Sequence, residues 1–221
     1  MLQRALATVV ILMFPVVTAG VFYFHDQRRY TQGKHGQIPV LPGFRRAHRW
    51  VQLSTGIVVA ASLFGQHFAL LQLYTLAALL YAGAAVCLAA VALFVWAKVQ
   101  LGAQFSPCFD SLVANRLIDT GPYAYVRHPL YVANLAWLLG AFLATGSVWI
   151  VMNVGVMALY YVTSARQEER VLAQDLPAYG EYMARTGAFL PRLGRRPSRG
   201  PAATDATTRQ ADPTPAERQI G

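Results

Sequence analysis

The strongest constraint on this chain is where charge is missing. No Asp, Glu, Lys or Arg occurs from Ala5 to Phe24, from Trp50 to Ala97, or from His128 to Ala165, gaps of 20, 48 and 38 residues. A helix needs about 20 apolar residues to cross a hydrocarbon core about 30 Å thick. The gaps therefore hold one, two and two crossings, and the expected fold is all-α: a polytopic membrane protein with five transmembrane helices over residues 4–24, 50–66, 68–97, 129–145 and 147–164. Short polar and glycine residues at Gly65-Gln66-His67 and Thr145-Gly146-Ser147 supply the turns inside the longer gaps. The last two spans are short, so they read as a tight C-terminal helical hairpin. Composition agrees: 55% of residues are hydrophobic and 13% charged, where a soluble domain carries about 25% charged residues.

Orientation follows from the basic residues, because positively charged loops stay in the cytoplasm. Of 19 Lys and Arg, six fall in residues 25–49, three in 98–128 and nine after Ala165. Five crossings put these three regions on one side, with only Arg4 outside; the expectation is a multi-pass protein of the cell membrane with its N-terminus outside and its C-terminus cytoplasmic. All ten acidic residues share the cytoplasmic side, so the bias is one of position and not of net charge. The first apolar run, with Thr18-Ala19-Gly20 near its end, is longer than the 7–15 residues usual in a cleaved signal and reads as a span. The sequence pI of about 9.9 suggests lipid headgroups and the bilayer as partner, with no nucleic acid, since the basic residues flank spans without forming an aromatic-interleaved patch. Two cysteines, Cys87 in a span and Cys108 in a cytoplasmic segment, give neither a disulfide framework nor a metal-ligand spacing.

Polarity divides the chain into residues 1–97, three lipid-facing helices; 98–193, where nearly every reactive side chain sits; and 194–221, a tail rich in Arg, Pro, Thr and Ala that lacks the apolar residues to order itself. Within the middle region Val171, Leu172, Leu176, Tyr179, Tyr182 and Met183 recur at helical spacing, an apolar stripe on an interfacial amphipathic helix that continues from or follows the fifth span and that Pro177 should break or restart. Such a helix can roof a cavity between spans.

The residues that carry chemistry are Gly121-Pro122-Tyr123, then Arg127-His128-Pro129-Leu130-Tyr131, then Glu168-Glu169, with Glu168 37 positions after Tyr131. Pro129 suits a first helical turn, which puts His128 at the N-cap at the membrane boundary with Tyr131 on the same face. Each residue alone has a plainer reading: Arg127 as a positive flank, His128 as a cap, Tyr125 and Tyr131 as members of an interfacial aromatic belt, the glutamates as a solvated turn. Both sets on one side of the membrane favour a joint role.

Together with Glu168-Glu169-x-x-Leu172 and Tyr179-x-x-Tyr182, this pattern resembles the shared C-terminal region of isoprenylcysteine carboxyl methyltransferases and phospholipid N-methyltransferases, over residues 98–193. The resemblance implies an S-adenosylmethionine pocket in the cytoplasmic leaflet, closed by the helix after the hairpin. Tyr123, His128, Pro129, Leu130 and Tyr131 are expected to contact the cofactor, with the strand-like Leu117 and Ile118 beside its adenosine. Glu168 is expected to meet the cofactor's amino-acid end or its sulfonium charge. Arg166 is the candidate for orienting the substrate, and Glu169, His128 or Tyr131 could receive a proton from an acceptor that must lose one. No metal is required, because methyl transfer needs a positioned nucleophile in line with the sulfonium. The acceptor implied is a lipophilic small molecule or a lipidated group: a carboxylate, ionised at neutral pH and needing no base, or a lipid amine or thiol, which must lose a proton.

Two other readings compete. Membrane sterol and steroid reductases carry an element similar to Arg-His-Pro-x-Tyr near a nicotinamide site, but this chain is short and its Glu168-Glu169 with Tyr179 and Tyr182 fits the methyltransferase pattern better. A non-enzymatic membrane module retaining the shape of the site is the other.

Overall fold

A computed structural model describes residues 2–29, 41–63, 73–74, 76–105 and 116–192. The turn expected at Gly65-Gln66-His67, Cys108 and the tail from Gly194 lie outside the described residues. Six α-helices follow in order: α1 (Leu2–Arg29), α2 (Phe44–Leu63), α3 (Ala77–Leu101), α4 (Pro129–Thr145), α5 (Val148–Asp175) and α6 (Tyr179–Arg185). Among the described residues there is no strand; Val126 and Gly187 form an isolated parallel bridge. The run Arg116-Leu117-Ile118, expected to be strand-like, is a bend and coil. Two helices, α3 and α5, are long and apolar enough to cross a membrane; Leu6–Gly20 within α1 and Pro129–Thr145 are shorter apolar helices.

Helix ends follow local chemistry. Pro129 occupies the first position of α4, where its missing N–H costs nothing. Gly146 closes α4 with a left-handed φ of 65°, and its amide returns to the Phe142 carbonyl at 2.7 Å. Helix α3 begins at Ala77, nine residues later than expected from apolarity. Leu73 and Tyr74 instead brace the α4–α5 turn: the Leu73 amide donates to the Gly146 carbonyl at 2.9 Å and the Tyr74 hydroxyl to the Phe142 carbonyl at 3.0 Å. Helix α5 does not stop where its apolar stretch ends, because no Pro or Gly intervenes before Pro177; it runs 28 residues, ending in a charged extension that carries Glu168 and Glu169. Leu176-Pro177-Ala178 then breaks the chain as expected, and α6 restarts it.

Packing rests on close backbone approach and on satisfied polar groups. Helices α3 and α4 meet at Gly83 and Gly140: a Cβ on Gly83 would collide with the Gly140 carbonyl and sit 2.6 Å from the Ala144 nitrogen. Small residues at such crossings let helices approach where apolar burial alone gives little preference over lipid. Pro15 lies inside α1 and cannot donate to the Ile11 carbonyl four residues earlier. The Trp137 indole of α4 donates to that carbonyl instead, at 2.9 Å, while its ring stacks on Phe14 with centroids 5.2 Å apart. Between α2 and α5, the buried Asn153 amide donates to the Ser54 and Thr55 hydroxyls at 3.1 and 3.0 Å. The start of α2, the end of α3, the start of α4 and the end of α5's apolar stretch thereby share one end of the bundle, where Phe44 stacks on Tyr160 with centroids 5.0 Å apart and Phe94 meets Phe105 edge-on.

Candidate active site

His128 is the N-cap residue of α4, yet its side chain caps no helix amide. Its ring instead reaches across to α5, with Nε2 2.9 Å from Glu169 Oε1 and Nδ1 3.5 Å from Glu168 Oε2. One turn into α4, the Tyr131 hydroxyl donates to Glu168 Oε1. The four polar residues expected to converge, His128, Tyr131, Glu168 and Glu169, are thus in direct contact.

Aromatic faces enclose them. The His128 ring stacks on Tyr131, with planes 8° apart and centroids at 5.4 Å; Tyr131 stacks on Tyr161 of α5 at 4.7 Å; Phe189 tilts over His128 at 5.7 Å. Phe189 arrives there through main-chain pairing: the Arg127 and His128 amides donate to the carbonyls of Gly187 and Ala188 at 2.8 and 3.0 Å. This strap and α6 form a roof. The Tyr182 hydroxyl donates to the Tyr123 carbonyl at 2.7 Å, and Arg185 pairs with Asp119. The apolar stripe read from the sequence faces inward here, with Tyr179 and Tyr182 buried and Val171, Leu172, Leu176 and Met183 half-buried.

Electrostatically the cluster is tightly coupled. Burial opposes the charged form of His128, but the hydrogen bonds and charges of Glu168 and Glu169 outweigh it and raise the imidazole above its ordinary 6.5. Glu169 lies beyond the apolar length of α5. Burial pushes it toward its neutral form, and His128 and Arg127 outweigh that and lower it below the ordinary carboxylate value.

The remaining residues singled out in the sequence take less direct places. Pro129 and Leu130 are buried in the first turn of α4, and Tyr123 is buried in a 3-10 turn, Gly121–Ala124, under the roof. Leu117 and Ile118 are half-buried, Ile118 against the core. Arg166 is exposed and makes no ion pair with the described residues. The guanidinium on the glutamates is Arg127's: its Nε donates to Glu169 Oε1 at 2.9 Å, Nη2 lies 2.7 Å from the same oxygen, and Nη1 donates to the carbonyls of Met183 and Thr186. Sequence reasoning gave Arg127 no role of its own in the site, although its place beside His128 was a signal. Tyr161 was also missed; lying seven residues, two helical turns, before Glu168, it shares that residue's face. Phe189 left no signal, since its position depends on pairing between segments 60 residues apart.

Residues 78–178 match the phospholipid methyltransferase family. The matched segment runs from the start of α3 to just before α6 and contains Arg127, His128, Tyr131, Glu168 and Glu169. The match supports a membrane methyltransferase, and methyltransferases of this family generally use S-adenosylmethionine. Two curated relatives are also similar. A cobalt-zinc-cadmium resistance protein, CzcN, of Cupriavidus metallidurans is 44% identical over 80 residues, 36% of this chain and 37% of that protein. A nickel-cobalt-cadmium resistance protein, NccN, of Alcaligenes xylosoxydans xylosoxydans is 37% identical over 81 residues, 36% of this chain and 38% of that protein. The chain thus matches little more than a third of the length of either relative.

Proposed function

We propose that this chain is a membrane-embedded, S-adenosylmethionine-dependent methyltransferase that modifies a lipophilic acceptor at the cytoplasmic face, a carboxylate in the first place. The observation that carries this reading is the convergence of His128 and Tyr131, from the start of α4, with Glu168 and Glu169, from the charged extension of α5, inside a family match to methyltransferases.

The residues suit such a donor. Two carboxylates complement a sulfonium cation, and so do the π faces of Tyr131, Tyr161 and Phe189. Ser164 Oγ and Gln167 Oε1, buried without a hydrogen-bond partner among the described residues, lie within about a turn before Glu168 and offer sites for the hydroxyl or amino groups of a nucleoside. When bound, the donor supplies a methyl group already activated on sulfur. Glu168, held by the Tyr131 hydroxyl, balances positive charge; the Phe189 strap and α6 exclude water; Arg166, exposed on α5 three residues before Glu169, meets an anionic acceptor arriving from the bilayer. With a carboxylate acceptor no proton moves, and Glu169 keeps its bonds to Arg127 and His128; an amine or thiol acceptor would draw on Glu169 or His128 as base.

The membrane reading that accompanies this is five crossings with a cytoplasmic site. It is supported by the basic-residue count and by exposed Trp50, Trp96 and Tyr125, which lie near the ends of α2 and α3 and before α4, on the side of the bundle that bears the site. The test is incubation of the full chain, in membranes, with methyl-labelled S-adenosylmethionine, followed by mass spectrometry of the lipid extract. Label in a base-labile ester is expected; label in amines or thioethers would move the acceptor class, and donor turnover absent from every fraction would contradict the reading.

A further inference from the structure

The His128 ring presents both nitrogens to carboxylates, Nε2 to Glu169 Oε1 at 2.9 Å and Nδ1 to Glu168 Oε2 at 3.5 Å. A neutral imidazole has one N–H and one lone pair, so in the neutral form one nitrogen would turn its lone pair toward a carboxylate oxygen. The arrangement therefore suits imidazolium. With His128 charged, the buried cluster is balanced: Glu168 and Glu169 are negative, Arg127 and His128 positive. Among the described residues the other ionisable groups around it include phenols, Tyr131 from α4, Tyr161 from α5 and Tyr179 and Tyr182 from α6, and the strap brings Phe189 against the ring. His48 of α2 is a step further out, its Nδ1 3.4 Å from the Tyr161 hydroxyl. Arg127 cannot give up its proton. His128 is the one member of the cluster whose charge can be removed near neutral pH.

We propose that His128 is the charge-compensating group of the donor site: entry of the sulfonium cation expels the His128 proton to water, and loss of that charge on methyl transfer allows it to return. This rests on the function proposed above. Adding a cation to a balanced, buried cluster leaves one uncompensated charge in a poorly solvated place, which is costly. Releasing the imidazole proton restores balance and leaves Glu168 free to face the sulfonium. On transfer the carbon–sulfur bond breaks with its electron pair remaining on sulfur, the methyl joins the acceptor, and the demethylated donor carries no sulfonium charge. His128 then takes a proton back from water. The same site thereby distinguishes donor from spent donor by one proton.

The sign follows from linkage. The free site, in which His128 is raised, binds more protons than the loaded site, so donor affinity grows with pH. Between the His128 pKa of the complex and that of the free site the gain approaches tenfold per pH unit, and above the free-site pKa it levels off. Affinity for S-adenosylhomocysteine stays flat over the same window.

Isothermal titration of the full chain in nanodiscs, with S-adenosylmethionine and then S-adenosylhomocysteine, in pairs of buffers differing in ionisation enthalpy, counts the protons directly. Between the His128 pKa of the complex and that of the free site the expected result is release of about one proton per S-adenosylmethionine bound and none for S-adenosylhomocysteine. S-adenosylmethionine binding without proton release, or equal release for both compounds, overturns the proposal while leaving the donor site standing. Failure of both to bind removes the donor site and this inference together.

Discussion

Glu169→Ala is expected to lower the unfolding free energy of the protein by about 3–5 kcal/mol, the cost of leaving a buried charge without its partner. Glu169 Oε1 accepts from Arg127 Nε, contacts Arg127 Nη2 and faces His128 Nε2. The side chains are 9% exposed for Arg127, 7% for His128 and 17% for Glu169, so water cannot replace what is lost. Arg127 also holds the Met183 and Thr186 carbonyls, so its displacement loosens α6 and the strap as well. Glu169→Gln, which keeps an acceptor oxygen and loses the charge, should fall between wild type and alanine. Unfolding titrations in mixed micelles measure the three forms, and an alanine variant as stable as wild type would mean that the ion pairs contribute nothing net.

Gly83→Val should be at least as damaging, through a different cause. No side chain fits between α3 and α4 at this point: even a Cβ would meet the Gly140 carbonyl and approach the Ala144 nitrogen to 2.6 Å and its Cβ to 2.8 Å. Two of these are backbone atoms of a regular helix and the third is fixed directly to it, so none can swing aside, and α4 must move as a body or separate from α3. His128 and Tyr131 begin α4, and a displaced α4 carries them away from the glutamates of α5. The expected outcome is a fall in thermal midpoint of 10 °C or more, on the order of several kcal/mol of overpacking. Gly155→Ala, at a site with no atom within 4 Å of the new Cβ, is the control and should leave the midpoint near that of wild type.

How far the sequence reached can be judged element by element. Helix α4 was legible at both ends because Pro129 and Gly146 are local signals with stereochemical causes, one preset for the first turn and the other free to adopt positive φ. The break at Pro177 was legible for the same reason. The start of α3 was not: apolarity runs unbroken through Leu73 and Leu76, and only the α4–α5 turn against which Leu73 and Tyr74 rest decides that they stay non-helical. The stripe after Ala165 left open whether span five continues or a new helix follows; the structure continues it to Asp175, since charge marks where a helix leaves lipid and not where it ends.

In the site, the meeting of His128 and Tyr131 with Glu168 and Glu169 followed from a pattern of residues on one side of the membrane. The place of Arg127 did not, because it reaches Glu169 from 42 residues away and needs the fold to bring it there. Tyr161 and Phe189 belong to the same class: aromatic walls whose positions are set by tertiary packing and by main-chain pairing at Gly187 and Ala188, which composition cannot foretell.

Equilibrium binding of labelled S-adenosylmethionine to the full chain in nanodiscs asks whether these side chains form a donor site. Saturable binding by wild type is expected, with loss of 100-fold or more in affinity, roughly 3 kcal/mol, in Glu168→Ala preparations that remain folded by circular dichroism. Wild-type affinity in that variant would mean that Glu168 does not face the donor.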